Sequence, residues 1–189
     1  MTRYRYEDIP EITGPGIYKF FLVDGATLPG VSVDRTGLLY VGTTKKEKGR
    51  EHFEPNAATS TLRRTIGAIL KDDPQLLLKA YLRGLGNDPM KDATHYRFTS
   101  DGESRLTDWM RKNLEFSYEI LEVSDAEREA RETAEIENLR PPLNLNKWKN
   151  PNRKSLKSRR KICRDEAKRN GSLKSKNDKA EGFDIHPLQ

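Results

Sequence analysis

Groups that could act together on a phosphodiester are scattered along this 189-residue chain. Tyr18 lies in GPGIYKFFLV, Tyr40 in GLLYVGTT, Arg63 and Arg64 in STLRRTIGAIL, and Glu132 and Asn144 in ETAEIENLRPPLN. Cutting a phosphodiester needs a water that loses a proton, a cation near phosphorus and stabilisation of the departing 3′ oxygen. Positioning and electrostatics supply most of that effect. A carboxylate-bound magnesium ion and an arginine are natural suppliers of the charge. Two phenols, a guanidinium, a carboxylate and an amide therefore point toward nuclease chemistry, provided that folding gathers them.

Each residue also has a plainer reading. A tyrosine in a strand is commonly a packing residue. Glu132 shares its helix with Glu127, Glu129, Glu135 and Glu137, most of which must face solvent. The helix itself does not choose among them, and Glu132 and Glu135 both remain candidates. Arg63 and Arg64 lie about 100° apart around a helix, so one of them at most faces a given site. Three histidines and the single Cys163 argue against a multi-histidine or cysteine-rich metal centre.

The elements that must position these groups can be read from periodicity. YKFFLV and LLYVG are aromatic and β-branched runs bounded by Gly and Pro, predicting two antiparallel neighbours joined by the turn-rich VDGATLPGVSVDRTG, with an irregular strand around 31–33. Leu62, Ile66, Ile69 and Leu70 predict a helix capped by Ser60 or Thr59. A second helix is expected over 74–85, a short strand at 95–98, a helix over 100–113 with Leu106, Trp109 and Met110 inward, and a third core strand over 116–123. Ser124 and Glu127 form a capping-box pattern for a helix that Pro141 and Pro142 stop. The expected fold is α/β of the α+β kind, a small three-stranded, mainly antiparallel sheet flanked by helices.

Charge divides the chain. The net +6 conceals a segment from Lys147 onward with fourteen Lys/Arg against five Asp/Glu, while residues 1–146 are slightly acidic. This predicts a domain at 1–146 and a basic tail at 147–189, disordered or helical on binding nucleic acid, with a lone helix near 155–169. Lys147, Lys149, Arg153, Lys154 and Lys157 are candidate phosphate contacts, as are Arg159, Arg160, Lys161 and, within the domain, Arg64. The N-terminus lacks the apolar stretch of a secretory signal and no run is long enough to cross a membrane, so a cytoplasmic location is expected.

GIY at 16–18, YVG at 40–42, a helix arginine at 63, and Glu132 twelve residues before Asn144 in a proline-containing context together resemble the GIY-YIG nucleases. The resemblance spans residues 14–146. It implies that Tyr18 is the general base toward water and Tyr40 hydrogen-bonds the phosphate or the water. Arg63, with Arg64 as alternative, would neutralise the non-bridging oxygens. Glu132 would be the sole protein ligand of one Mg2+ (or Mn2+), with Asn144 holding the geometry behind it. The implied reaction leaves 5′-phosphate and 3′-hydroxyl ends on DNA, most simply duplex, with RNA a further candidate. Residues 24–36 look like an insertion, and Gly67 stands where some members carry a histidine, though His52 in the preceding loop could approach. A poorly cutting binding module of the same fold and an interaction protein that uses its tail are the rival classes.

Overall fold

A computed structural model of the chain describes residues 2–45, 52–84 and 89–172. In chain order the elements are β1 Gly16–Leu22, β2 Leu38–Thr44, α1 Thr61–Ile69, β3 Ala80–Tyr81, α2 Pro89–Thr94, β4 Arg97–Phe98, α3 Ser100–Asn113, β5 Leu114–Ile120, α4 Asp125–Leu139 and α5 Arg153–Asn170. β1 pairs antiparallel with β2 on one side and β5 on the other, giving a three-stranded sheet of order β2-β1-β5. β3 and β4 form a separate two-residue ribbon. The expected α+β class and three-stranded antiparallel sheet are present.

Side-chain alternation along β1 sends Tyr18, Phe20 and Leu22 to one face of the sheet and Ile17 and Phe21 to the other. The first face builds the main core with Phe53, Leu62, Ile66, Leu106, Met110 and Phe116. The second face is covered by α4, whose Ile136 is buried with Ile17, Phe21, Leu38 and Val41. Gly16 is required by close packing: a Cβ there would lie 2.1 Å from the Glu119 carbonyl oxygen and 2.8 Å from the Tyr118 ring.

Both sheet edges are covered. Tyr4 exchanges backbone hydrogen bonds of 2.8 and 2.9 Å with Phe116 on β5. On β2, Leu143 N–H donates to Leu39 O at 3.0 Å, and the Asn144 side chain engages Val41 in both directions.

Helix ends follow the sequence closely. Ser60 caps α1 by accepting from Arg63 N–H at 3.1 Å, and Ser124 and Glu127 form the reciprocal capping box of α4. The helix expected over 74–85 does not form; 74–79 turn irregularly, with Leu77 at φ 49°, and lead into β3, residue 85 lying outside the described residues. The short α2 was not anticipated, and the irregular strand expected near 31–33 is reduced to a single bridge between Leu28 and Val31.

The largest departure concerns residues after 146. The basic helix, expected as a detached tail, packs on α1, α2 and β3 and buries Leu156, Cys163 and Ala167 in the main core. Glu166 anchors it, accepting from Ala80 N–H at 3.1 Å and pairing with Lys71 at 2.9 Å, while Leu82 N–H donates to Gly171 O at 2.9 Å. Three apolar residues spaced by seven and four along a charged helix make too narrow a stripe to fold it alone. They suffice when the rest of the domain supplies the other wall. Residues 173–189 of the expected tail lie outside the described residues.

If α5 belongs to the folded unit, Leu156→Ala opens a cavity in the shared core. Urea denaturation should then show one cooperative transition destabilised by about 2–4 kcal/mol. A detached helix would leave the transition where it was.

Candidate functional site

Where β2 meets the start of α5, a cavity of about 280 Å³ is lined by Tyr40, Thr61, Glu132, Asn144, Lys147, Lys157 and Arg160, with Ile136, Leu143, Leu145 and Asn146 completing its wall. It lies at the β2 edge because its walls come from both sheet faces, Tyr40 from one and Ile136 from the other. Glu132 and Tyr40, 92 residues apart in sequence, thus share one hollow.

Asn144 sets that arrangement. Its Oδ1 accepts from Val41 N–H at 2.9 Å and its Nδ2 donates to Val41 O at 2.8 Å, so one amide replaces a strand neighbour beside Tyr40. Its own carbonyl accepts from Trp148 Nε1 at 2.9 Å and Asn150 Nδ2 at 2.8 Å. The turn that Asn144 organises delivers Lys147, at φ 72°, into the cavity.

Tyr18 stands behind Tyr40. The rings stack at 6.2 Å between centroids, so the two phenols share one electrostatic environment. Gly42 makes room for this: a Cβ there would come within 2.4 Å of the Tyr18 ring. Beyond Tyr18, His52 Nε2 is 2.8 Å from the phenol oxygen and His52 Nδ1 is 2.8 Å from Ser60 Oγ. A line of polar groups therefore runs from the cavity inward: Tyr40, Tyr18, His52, Ser60. The approach of His52, only a side possibility in the sequence, is direct in the fold.

The phenols are held neutral. Burial, followed by the neighbouring Tyr40 and Glu132, raises the Tyr18 pKa far above that of a free phenol. Burial and Glu132 push Tyr40 up to about 12, against partial relief from Tyr18 and Arg160.

Glu132 rather than Glu135 enters the cavity. Its Oε2 pairs with Lys147 Nζ at 2.6 Å. Glu135, nearly one turn further along α4, pairs at 2.6 Å with Lys19, whose place on β1 is on the face opposite Tyr18. Sheet alternation therefore separates two glutamates that sequence spacing left as alternatives.

The arginine preferred from the sequence is corrected. Arg63 is wholly buried and turns to α3, where its Nε pairs with Glu103 Oε2 at 2.7 Å and its Nη2 donates to the Glu103 carbonyl and to Thr107 Oγ1, the latter at 2.8 Å. Glu103 Oε1 also accepts from Ala57 and Phe98 N–H, each at 3.0 Å. Arg63 is a core tether and does not line the cavity. Met110 Sδ, 3.8 Å from Arg63 Nη1, and Thr107 belong to the same receiving face of α3.

Arg64 comes nearer. It donates to the Ala57 and Ala58 carbonyls at 2.9 and 2.7 Å and to Thr61 Oγ1 at 3.1 Å, directly behind the cavity wall. Burial and the like charge of Arg160 lower its pKa to about 10. The guanidinium that lines the cavity itself is Arg160 of α5.

A model of the GIY-YIG catalytic domain matches residues 30–166, most of the chain. The chain belongs to this family. The match begins after Tyr18 and extends into α5, so the helix first read as tail lies within the matched span. No curated protein and no solved structure matches the chain. Membership makes this a domain of the nuclease type, with nucleic acid as the substrate class.

GIY-YIG nucleases are generally metal-dependent, and the cavity suits a hard cation held chiefly by water. It offers the Glu132 carboxylate beside phenol and amide oxygens, while no cluster of three His, Cys, Asp or Glu occurs among the described residues. Lys147 would have to yield Glu132 Oε2 to such an ion.

The other basic candidates divide by position. Lys154, Lys157, Arg160 and Lys161 line a further cavity beneath α5, Lys149 lies beside Trp148 and Arg140, and Arg153 is 3.5 Å from Asn146 Oδ1. Arg159 turns away and donates to Ile69 O at 3.2 Å. Lys46, Lys48 and Arg50, close to His52 in sequence, lie outside the described residues. No helix among the described residues is long and apolar enough to cross a membrane.

The phenol environment has a pH signature. With Tyr40 ionising near 12 in the fold and near 10 when unfolded, the unfolded chain loses this proton first as pH rises. The stabilising contribution is therefore complete below pH 10 and declines between 10 and 12. Denaturant midpoints across pH 8–12 should fall less steeply for Tyr40→Phe than for the parent chain.

Proposed function

We propose that the chain is a metal-dependent DNA endonuclease, hydrolysing phosphodiesters to 5′-phosphate and 3′-hydroxyl ends. The observation that carries this reading is the common cavity of Tyr40, Glu132 and Arg160, with Tyr18 linking Tyr40 to His52. When bound, magnesium or manganese at Glu132 supplies positive charge for the phosphate and the departing 3′ oxygen.

The chain's own residues perform the remainder. Arg160 neutralises a non-bridging phosphate oxygen through its planar fork, and Arg64 adds positive potential from behind Thr61. The Tyr40 hydroxyl orients the attacking water. Water gives a proton to the Tyr18 oxygen as the new P–O bond forms, and the 3′ oxygen, as its bond to phosphorus breaks, takes a proton from solvent in the open cavity. Tyr18 passes its own hydroxyl proton to His52 Nε2, whose Nδ1–H donates to Ser60 Oγ. Relay through His52 means that Tyr18 need never exist as a free phenolate, which its surroundings disfavour.

A second reading is a binding module that cuts poorly, and the Lys147–Glu132 ion pair favours it by occupying one oxygen of the proposed metal ligand. The two separate on supercoiled plasmid with Mg2+, Mn2+ or EDTA. An endonuclease nicks only with metal, loses about 10²-fold or more in rate in Glu132→Gln and His52→Ala, and keeps its rate within a few-fold in Glu135→Gln. Plasmid that stays intact under every metal condition, while the strand still binds, decides for the binding module.

A further inference from the structure

Beside the Glu132 cavity lies a larger one of about 540 Å³, lined by Lys154, Lys157, Ser158, Arg160, Lys161 and Arg164 of α5, and closed by Thr94 and Tyr96. The two cavities share Lys157 and Arg160, so they are neighbours along one helix face. The positions 154, 157, 158, 161 and 164 follow helical spacing and form one stripe, opposite in character to the buried Leu156, Cys163 and Ala167.

Five cations line this second hollow and no carboxylate does. Asp165 at its rim offsets part of the charge, 2.6 Å from Lys161 Nζ and 4.0 Å from Arg164 Nε. Lys154 and Lys157 have no carboxylate partner among the described residues. Like charges three and four residues apart destabilise a helix unless an anion compensates them. The Ser158 hydroxyl in the same wall supplies the neutral hydrogen-bonding group that often accompanies cations around a phosphate oxygen.

We propose that the hollow beneath α5 is a second phosphate subsite, which holds the substrate strand at a phosphate neighbouring the one in the Glu132 cavity. From Lys154 to Arg164 the helix runs about 15 Å, long enough for more than one backbone phosphate at about 3.4 Å of rise each. Lys157 and Arg160, shared by both hollows, then fix the spacing between the held phosphate and the attacked one. The ligand is a strand with consecutive phosphodiesters rather than a lone nucleotide or free phosphate. Its identity rests on the nucleic-acid substrate of the site already described.

The test uses the full chain in EDTA, where binding is read without cleavage, and a fluorescent 20-base-pair duplex titrated across a salt series. Lys154→Gln/Lys161→Gln/Arg164→Gln removes three cations that line only the α5 hollow. It should weaken binding at least about tenfold and reduce the slope of log K against log salt by about two. The pair Lys154→Gln/Lys161→Gln, both exposed, should show a proportionate part of the effect if Arg164 proves needed for folding. Parental affinity and slope in these variants would overturn the inference, as would an equal loss in the Lys79→Ala/Lys112→Ala control. Displacement of the duplex by millimolar inorganic phosphate as effectively as by unlabelled duplex would also overturn it, showing a free-anion site. A chain that binds the duplex with this signature yet never nicks plasmid removes the nuclease reading and leaves the subsite standing.

Discussion

The two hydrogen bonds between the Asn144 amide and Val41 hold the arrangement together. β2 is an edge strand, and its outer backbone groups must be paired or solvated. Pairing them with a side-chain amide, not another strand, leaves the edge open enough for a cavity. It also brings the end of α4 and the turn toward α5 against Tyr40. Glu132 arrives from one face of the sheet and the phenols from the other because this edge is where the faces meet. Asn150, which donates to both the Pro142 and Asn144 carbonyls at 2.8 Å, fixes the turn from outside.

Charge and burial then divide the labour. Arg63 and Glu103 form an ion pair in the core, where burial depresses the guanidinium pKa and Glu103 counters that shift. Such pairs cost desolvation and are kept only where hydrogen bonds complete them, as the Ala57 and Phe98 amides do here. That pair ties α1 and α3 to the loop carrying His52 and Phe53, and so braces the inner end of the Tyr40–Tyr18–His52 line. The cations that face solvent come instead from α5. Burial keeps the phenols neutral while the helix next to them stays strongly positive.

Much of this was legible from local patterns. Strand alternation around Tyr18 and Tyr40, the Ser60 cap, the Ser124–Glu127 capping box and the Pro141-Pro142 stop are short-range features, and each appeared where its residues required. Glu132 and Asn144 could be named through the family resemblance, whose spacing spans only one helix and the turn after it. The region 74–85 misled because proline at a helical first turn and a run of leucines suit a helix locally. The chain there turns instead to feed Ala80 into β3, where Glu166 of α5 holds it. The sequence of α5 reads as a tail because its three buried residues are too few for a core of their own, and their partners lie on α1, α2 and β3.

The sequence by itself determined the paired strands β1 and β2, the caps of α1 and α4 and the stop after α4, since these depend on neighbours within a few residues. Tertiary structure alone decided that Arg63 points into the core, that Glu135 meets Lys19 while Glu132 enters the cavity, that His52 reaches Tyr18, and that Arg160 joins the site. Those outcomes depend on which elements pack together, and so on contacts between residues 34 to 120 positions apart, whose register no local periodicity specifies.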